Sequence, residues 1–381
     1  MSCKCKTITC EYVSFGHPDK LADQISDAIL DKLREQDPNV RAGIETMVKD
    51  NIVFLGGEVK TSAKINYDEV VRSVFNYVKY PHDILSPKNI KIFNCIGQQS
   101  QEISKMVDKE DNEIGAGDQG FVAGYASIET PNLMPLGHYI AKKICDYVSN
   151  AGLFGLGPDT KTQVVISYDE YVPTLKHILV STMHKCDIET VREIVKSAIV
   201  NNKIGLDPVT HQFHLIMDNP VIDVNPCGEW HVGGPISDCG LTGRKIVVDQ
   251  YGGYCNVGGG AFSGKDMSKV DRSAAYMARY LAKNIVASEI SDTAKVEISY
   301  IIGKPEPCAF NIELDDDCTC EVVNNVKEWI INNVDLTPLG IINRFGNEFS
   351  YLDCARGAFW DDSFPWEKID LAEDIKNYIE I

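Results

Sequence analysis

No stretch of this 381-residue chain approaches the roughly twenty apolar residues needed to cross a bilayer. Its opening, MSCKCKTITCEYV, lacks the apolar core of a secretory signal. There is no C-x-x-C, which speaks against a zinc ribbon, although Cys3/Cys5 and Cys318/Cys320 form C-x-C pairs. The thirteen cysteines are odd in number, and a disulfide framework is implausible at this length. Reduced, mostly buried thiols in a cytoplasmic protein are the expectation. Positive charge is also scarce: 37 Lys and Arg stand against 55 Asp and Glu, a net charge of −18. Nucleic-acid backbones and anionic membranes would be repelled, so neither is expected as a partner. Any anionic ligand must instead find a local island of basic residues.

What is present is ordinary globular material, 44% hydrophobic and 24% charged, and long enough for two or three domains. One order of elements recurs three times. A helix from Pro18 to Gln36 carries Leu21, Ile25, Ala28, Ile29 and Leu33 on one face. Two strand-like runs follow, VRAGIETMV and NIVFLGGEV, and then a helix starting near Asp68. The order returns with a helix through Leu136, Ile140, Ile144 and Val148, the runs TQVVISY and TLKHILVSTM, and a helix through Val191, Ile194, Val195 and Ala198. It returns again with an Ala-rich helix from Asp271, the runs KVEISYIIG and CAFNIEL, and a helix through Val323, Val326, Ile330 and Val334. Three similar α+β units, each a sheet with helices on one face, are expected. GQQSQEISKMVDKEDNEIGAGDQG, between the first two units, reads as a long mobile loop, of a length that is usually functional or disordered.

Four short stretches carry candidate chemistry. In SFGHPDK, Pro18 suits a first helical turn and sets His17 and Asp19 at the positive end of the helix dipole. Asp19 could equally do no more than complement that dipole. GAGDQG, Gly115–Gly120, could bring backbone amides close to a ligand or could be a plain turn. From Arg244 to Arg279, across DCGLTGRKI and GGGAFSGKDMSKVDRS, six basic residues stand against three acidic ones. That is the expected positive island, with glycines for close approach to phosphate oxygens. Asp271 falls where a helix cap belongs and could cap or bind metal. GGAFSGKD fits a phosphate-binding P-loop up to Lys265, but Asp266 stands where that loop needs a hydroxyl for Mg²⁺. It is therefore not a P-loop, and carboxylates elsewhere, Asp19 and Asp271 first, must hold any Mg²⁺.

GHPDK, GAGDQG, DCGLTGRK and GGGAFSGKD, in this order and spacing, resemble the methionine adenosyltransferase (S-adenosylmethionine synthetase) family from about Glu11 to FPWEK at Phe364–Lys368. The resemblance implies three similar sheet-plus-helix domains about a pseudo-threefold axis, at 11–104, 113–232 and 234–376, with exchanged segments. It implies a homodimer with active sites shared between subunits, and possibly a dimer of dimers. The implied reaction joins ATP and L-methionine into S-adenosylmethionine with release of phosphate and diphosphate, using two Mg²⁺ and one K⁺ per site. A thioether sulfur carries no proton, so its attack on C5′ needs no general base; alignment and stabilisation of the leaving triphosphate should suffice.

Residue by residue, the resemblance implies that His17, Asp159, Lys161, Asp238, Arg244, Lys245, Ala261 and Lys265 contact ATP, with Glu229 and Trp230 beside its adenine. Glu58, Gln99, Asp238 and Lys269 are the implied methionine contacts. Asp19 and Asp271 are the implied Mg²⁺ ligands and Glu45 the K⁺ ligand. His17, Lys161, Arg244, Lys245, Lys265 and Asp118 are the implied catalytic set, and the stretch after Gln99 is similar to a gating loop. Three positions depart from the family pattern: Phe15 replaces Glu, Val257 replaces His, and Glu229-Trp230 replaces Arg-Phe. Altered ATP affinity is the expected consequence. The competing readings are a catalytically impaired regulatory homologue and an unrelated nucleotide-dependent kinase.

Overall fold

The computed structural model describes residues 6–99, 115–150, 155–169, 172–201, 203–208 and 214–379. Strand β1 (Lys6–Val13) leads into helix α1 (Pro18–Gln36), the strands β2 (Arg41–Lys49) and β3 (Ile52–Lys60), helix α2 (Tyr67–Val78), and the short β4 (Lys91–Asn94) and β5 (Gly97–Gln98). The order recurs as β6 (Gly120–Ser127), α3 (Leu136–Asn150), β7 (Leu156–Asp169), β8 (Val172–His184), α4 (Ile188–Val200) and β9 (Val221–Val224). The third round is β10 (Gly240–Leu241), α5 (Ile246–Asp249), α6 (Val270–Ala287), β11 (Thr293–Tyr300), β12 (Ala309–Leu314) and α7 (Cys320–Asn333). Helices α8 (Pro338–Phe345), α9 (Tyr351–Ala355) and α10 (Ala372–Ile379) close the chain.

The fold is α+β, with three sheets. A strand heads each round, and it pairs with the hairpin of the next round rather than its own. β1 lies against β7, β6 against β11, and β10 against β2, all antiparallel. The exchange is cyclic, so the three units interlock as a threefold pattern requires. The resulting sheets run β1-β7-β8-β9, β10-β2-β3-β4 with β5 also on β3, and β12-β11-β6.

The helices form where apolar spacing and caps agree. α1 begins with Pro18 at its first position, and its apolar stripe of Leu21, Ile25, Ala28, Ile29 and Leu33 is buried against β2. α6 is buried all round; only Asp271 and Ala287 escape. Its cations are matched: Arg272 meets Asp27 at 2.5 Å, and Arg279 and Lys283 share Glu367 of the FPWEK segment at 2.9 Å each. Unpaired, any of these charges would be strongly destabilising.

One sheet keeps a face open. On β2 and β3 the alternate residues Val48, Val53 and Leu55 are buried, while Met47, Ile52 and Phe54 face out. Leu241 opposite Met47 and Phe93 opposite Phe54 extend this apolar face, with Phe93 53% exposed. Glu45 lies on the same face, and so does Glu58, which pairs with Gly43.

Two expectations are corrected. The eleven cysteines among the described residues are all free, as expected, but only Cys10, Cys145 and Cys354 are buried. The helix expected from Asp271 begins at Val270, with Lys269 as its cap residue, so Asp271 sits in the first turn instead of capping it.

Candidate active site

The first turn of α1 is built around His17. It is the cap residue, and its Nδ1 accepts the Asp19 amide at 3.1 Å, which leaves the proton on Nε2. Burial, with Lys245 nearby, lowers its pKa to about 4. The imidazole is thus a neutral donor near pH 7. Tyr80 holds the turn by donating from its hydroxyl to the Gly16 carbonyl.

Asp19 continues the site. Its Oδ1 accepts the Leu241 amide at 2.9 Å, and its Oδ2 meets Lys245 Nζ at 2.5 Å. Burial raises its pKa, but the bonds from Lys245 and Leu241 outweigh that and hold the carboxyl below its usual value. Arg244 Nε stands 3.9 Å away on a half-exposed side chain.

Asp19 is the first rung of a ladder whose other members are not among the expected site residues. Asp23 accepts the Gly243 amide at 2.8 Å, Asp27 the Gly264 amide at 2.7 Å, and Asp31 the Tyr351 and Leu352 amides at 3.0 and 2.8 Å. Four carboxylates at i, i+4, i+8 and i+12 therefore pin the DCGLTGRK and GGGAFSGKD loops, and α9, to one side of α1. The spacing is visible in the sequence, but the loop amides that give it a role are brought in only by the tertiary fold. Lys20 supplies countercharge, 3.0 Å from Asp23 and 2.5 Å from Asp249.

The glycine-rich loop takes its shape from close backbone contacts. Gly264 has a φ of +80°, and a Cβ there would stand 2.0 Å from the Ile44 carbonyl oxygen. At Gly260 a Cβ would reach within 2.0 Å of the Asp271 carboxyl carbon. Lys265 Nζ lies 2.5 Å from Asp271 Oδ2. Asp266, the residue that spoils the P-loop pattern, is buried and accepts the Ala42 and Ser268 amides at 2.7 and 2.9 Å. It also takes the Lys269 ammonium. Asp266 is thus a structural clasp, and Lys269, expected at methionine, is turned toward it.

An open cleft of about 670 Å³ is lined by Glu45, Asp118, Gln119, Gly120, Phe121, Gly259, Gly260, Ala261, Lys265, Asp271 and Tyr300. It unites five of the expected residues: Glu45, Asp118, Ala261, Lys265 and Asp271. Glu58 and Gln99 lie on the same sheet, Glu58 beside Gly97 in register and the Gln99 amide on the Val59 carbonyl at 3.0 Å. The rest of the set is gathered elsewhere. His17, Asp19 and Lys245 stand together, with Arg244 at their edge. Asp159 accepts the Gly234 amide at 2.6 Å, and burial followed by Asp238 raises its pKa to about 7. Lys161 is exposed and paired with Glu11 at 2.8 Å. Trp230 donates its indole N–H to the Val232 carbonyl at 2.7 Å. The two groups meet β2 at different points, Lys265 bridging Gly43 and Leu241 pairing with Met47, about 14 Å apart along the strand. Among the described residues, the 670 Å³ cleft takes in the Lys265 group and none of His17, Asp19, Arg244 and Lys245. Most of the stretch after Gln99 that is similar to a gating loop, residues 100–114, lies outside the described residues.

Three domain families match consecutive parts of the chain: S-adenosylmethionine synthetase N-terminal domain at residues 6–101, central domain at 113–230 and C-terminal domain at 232–368. An S-adenosylmethionine synthase of Mesoplasma florum is 42% identical over 97% of this chain and 99% of its own. One from a Nitratiruptor species is 42% identical over 98% of both chains. The solved structure of an unusual S-adenosylmethionine synthetase from Campylobacter jejuni superposes with a TM-score of 0.86 at 34% identity, covering 98% of this chain and 99% of that one.

Proposed function

The chain belongs to the S-adenosylmethionine synthetase family and has methionine adenosyltransferase activity, and on that premise we propose how its residues carry the reaction. The methionine sulfur attacks C5′ of ATP and displaces the whole triphosphate, which is then hydrolysed to phosphate and diphosphate. No residue has to remove a proton from the sulfur. The leaving group gathers negative charge, so the barrier falls through donors already aimed at it. The observation that carries this reading is the neutral His17, whose proton is left on Nε2 beside Lys245 and Asp19. A neutral donor at a helix N-terminus can follow charge developing on the bridging oxygen without losing its own proton. Lys265 and Arg244 add fixed positive charge, with Lys161 and Lys245 along the chain of phosphates. Trp230 offers a face for adenine; Asp118 and Asp238 border the substrates, and Glu58 and Gln99 receive methionine.

Asp19 and Asp271 suit Mg²⁺, since each is a carboxylate that already faces an ammonium at 2.5 Å. Glu45, an oxygen donor in the cleft, suits K⁺. Neutralisation of charge on the departing triphosphate is the chemistry that Mg²⁺ supplies when bound.

The working unit is a homodimer joined through the open apolar face of Met47, Phe54, Phe93 and Leu241. Monomers rarely leave such a patch uncovered, and here it is continuous with Glu45 and Glu58. Facing copies would bring the His17 group of one chain to the Lys265 group of the other. The test is a mixed dimer of His17→Ala and Lys265→Ala chains. One fully wild-type site per mixed dimer should restore about a quarter to a half of normal turnover (two sites per dimer, random assortment). No recovery above either parent contradicts shared sites.

A further inference from the structure

Beyond that reading, we propose that His184, Glu229 and His231 form a binding site for a borderline divalent transition-metal ion of the zinc or cobalt class. The three residues come from two segments, the end of β8 and the stretch before Gly233. Each offers one ligand atom, and these atoms lie within 4.8 Å of one another. Glu229 Oε2 is 3.5 Å from His184 Nε2 and 3.5 Å from His231 Nε2. Ligand atoms at metal bonds of about 2.0–2.1 Å in a tetrahedral set stand roughly 3.3 Å apart, so both distances are already close to closure.

The hydrogen bonding prepares the nitrogens for this role. His184 Nδ1 faces the Cys186 carbonyl at 2.8 Å, and His231 Nδ1 faces the His184 carbonyl at 2.9 Å. A ring nitrogen facing a carbonyl must be a protonated one, so in the neutral rings both Nε2 atoms are free to offer their lone pairs. Metal-binding histidines are usually oriented in this way. Glu229 Oε1 is held by the Ile188 amide at 3.3 Å, which turns Oε2 toward the two rings. His184 is fully buried, whereas His231 and Glu229 are open to solvent, which gives an ion a way in. The Trp230 amide now donates to His184 Nε2 at 3.1 Å. Loading the site exchanges that bond for one to the metal.

Two imidazoles and one carboxylate suit a borderline ion better than Mg²⁺ or K⁺, which prefer oxygen. With both imidazoles neutral the cluster carries −1; with a divalent ion it carries +1. Such an ion would also tie the Trp230 segment to β8. The site would bind its metal whether or not the neighbouring residues take ATP.

The test uses the full-length chain, stripped with a chelator and titrated with Co²⁺ in excess Mg²⁺ without added thiol. The expected result is one equivalent bound, with visible bands of a nitrogen–oxygen ligand set. His231→Ala should weaken this binding by more than tenfold, with circular dichroism unchanged. No saturable equivalent in the wild-type chain would overturn the proposal. So would thiolate-to-cobalt charge-transfer absorption as the only signal, or a change of less than tenfold in His231→Ala.

Discussion

Lys265 Nζ lies 2.5 Å from Asp271 Oδ2 across the mouth of the glycine-rich loop, so the proposed phosphate-binding cation and the candidate metal ligand hold each other in place. Each substitution should therefore leave a distinct kinetic signature. Lys265→Ala should lower kcat by about 10²–10³ with a smaller effect on the KM for methionine, because its charge matters most as the triphosphate leaves. Asp271→Asn should raise the Mg²⁺ needed for half-maximal rate at least tenfold, roughly the effect of weakening one metal contact. Steady-state rates across a Mg²⁺ series measure both. Equal Mg²⁺ dependence in Asp271→Asn and wild type would remove Asp271 from the metal site.

His17 combines two roles that one pair of variants separates. As the cap of α1 it accepts the Asp19 amide, and as a donor it offers Nε2–H. Asparagine caps helices well; alanine does not. His17→Asn should keep stability near wild type, while His17→Ala should lose about 1 kcal/mol by chemical denaturation. Both should lose roughly 10²–10³ in kcat. Full activity in His17→Asn would reduce His17 to a cap.

Asp159 makes stability depend on pH in a defined sense. Burial raises its pKa from 3.8 to about 7, so the folded chain holds this proton more tightly than the unfolded chain. Stability from this group is fully present below the unfolded value. It is lost as pH rises through about 7, by at most roughly 4 kcal/mol. Asp159→Asn keeps an acceptor for the Gly234 amide but cannot ionise. Denaturation of wild type and variant between pH 4 and 8 should give a difference that grows in the variant's favour with pH. A pH-independent difference contradicts this assignment.

The open face of the β2–β3 sheet gives a prediction about assembly. Phe54 is 41% exposed on that face, in register with Phe93. Phe54→Asp places a charge at the centre of the apolar patch, where a partner would have to desolvate it. Light scattering should give twice the chain mass for wild type and the single chain mass for Phe54→Asp, with activity lost alongside. An unchanged mass would place the interface elsewhere.

Most of the helices and all three hairpins were legible because their apolar periods are strong and their breakers clear. Pro18 and Pro38 frame α1, and Lys49-Asp50 marks a turn, with Asp50 at a φ of +52°. The heading strands β1, β6 and β10 were not legible. Each pairs with a hairpin far away in sequence, β10 has two residues, and GFVAGYAS in β6 is glycine-rich enough to read as loop. The site motifs point to phosphate chemistry in the sequence, and Asp266 argues against a P-loop. Lys269 is only three residues away, but the other half of the actual role of Asp266, clasping the Ala42 amide, is a contact across more than two hundred residues that no local pattern encodes. The acidic ladder on α1 escapes sequence reasoning for a related reason. Aspartates spaced by four usually mark a solvated face, and only the loops folded over Asp23 and Asp27 make it an interior one. The separation of the two candidate groups along β2 is likewise tertiary information.

The central claim is that the whole triphosphate leaves C5′ in one step, before any phosphate is released. Rapid-quench single-turnover analysis with excess enzyme, ATP and methionine tests it most directly. S-adenosylmethionine and tripolyphosphate should form together in equal amounts, with phosphate and diphosphate following. Phosphate release that precedes S-adenosylmethionine, with ADP or AMP accumulating and no tripolyphosphate at any time, would contradict it.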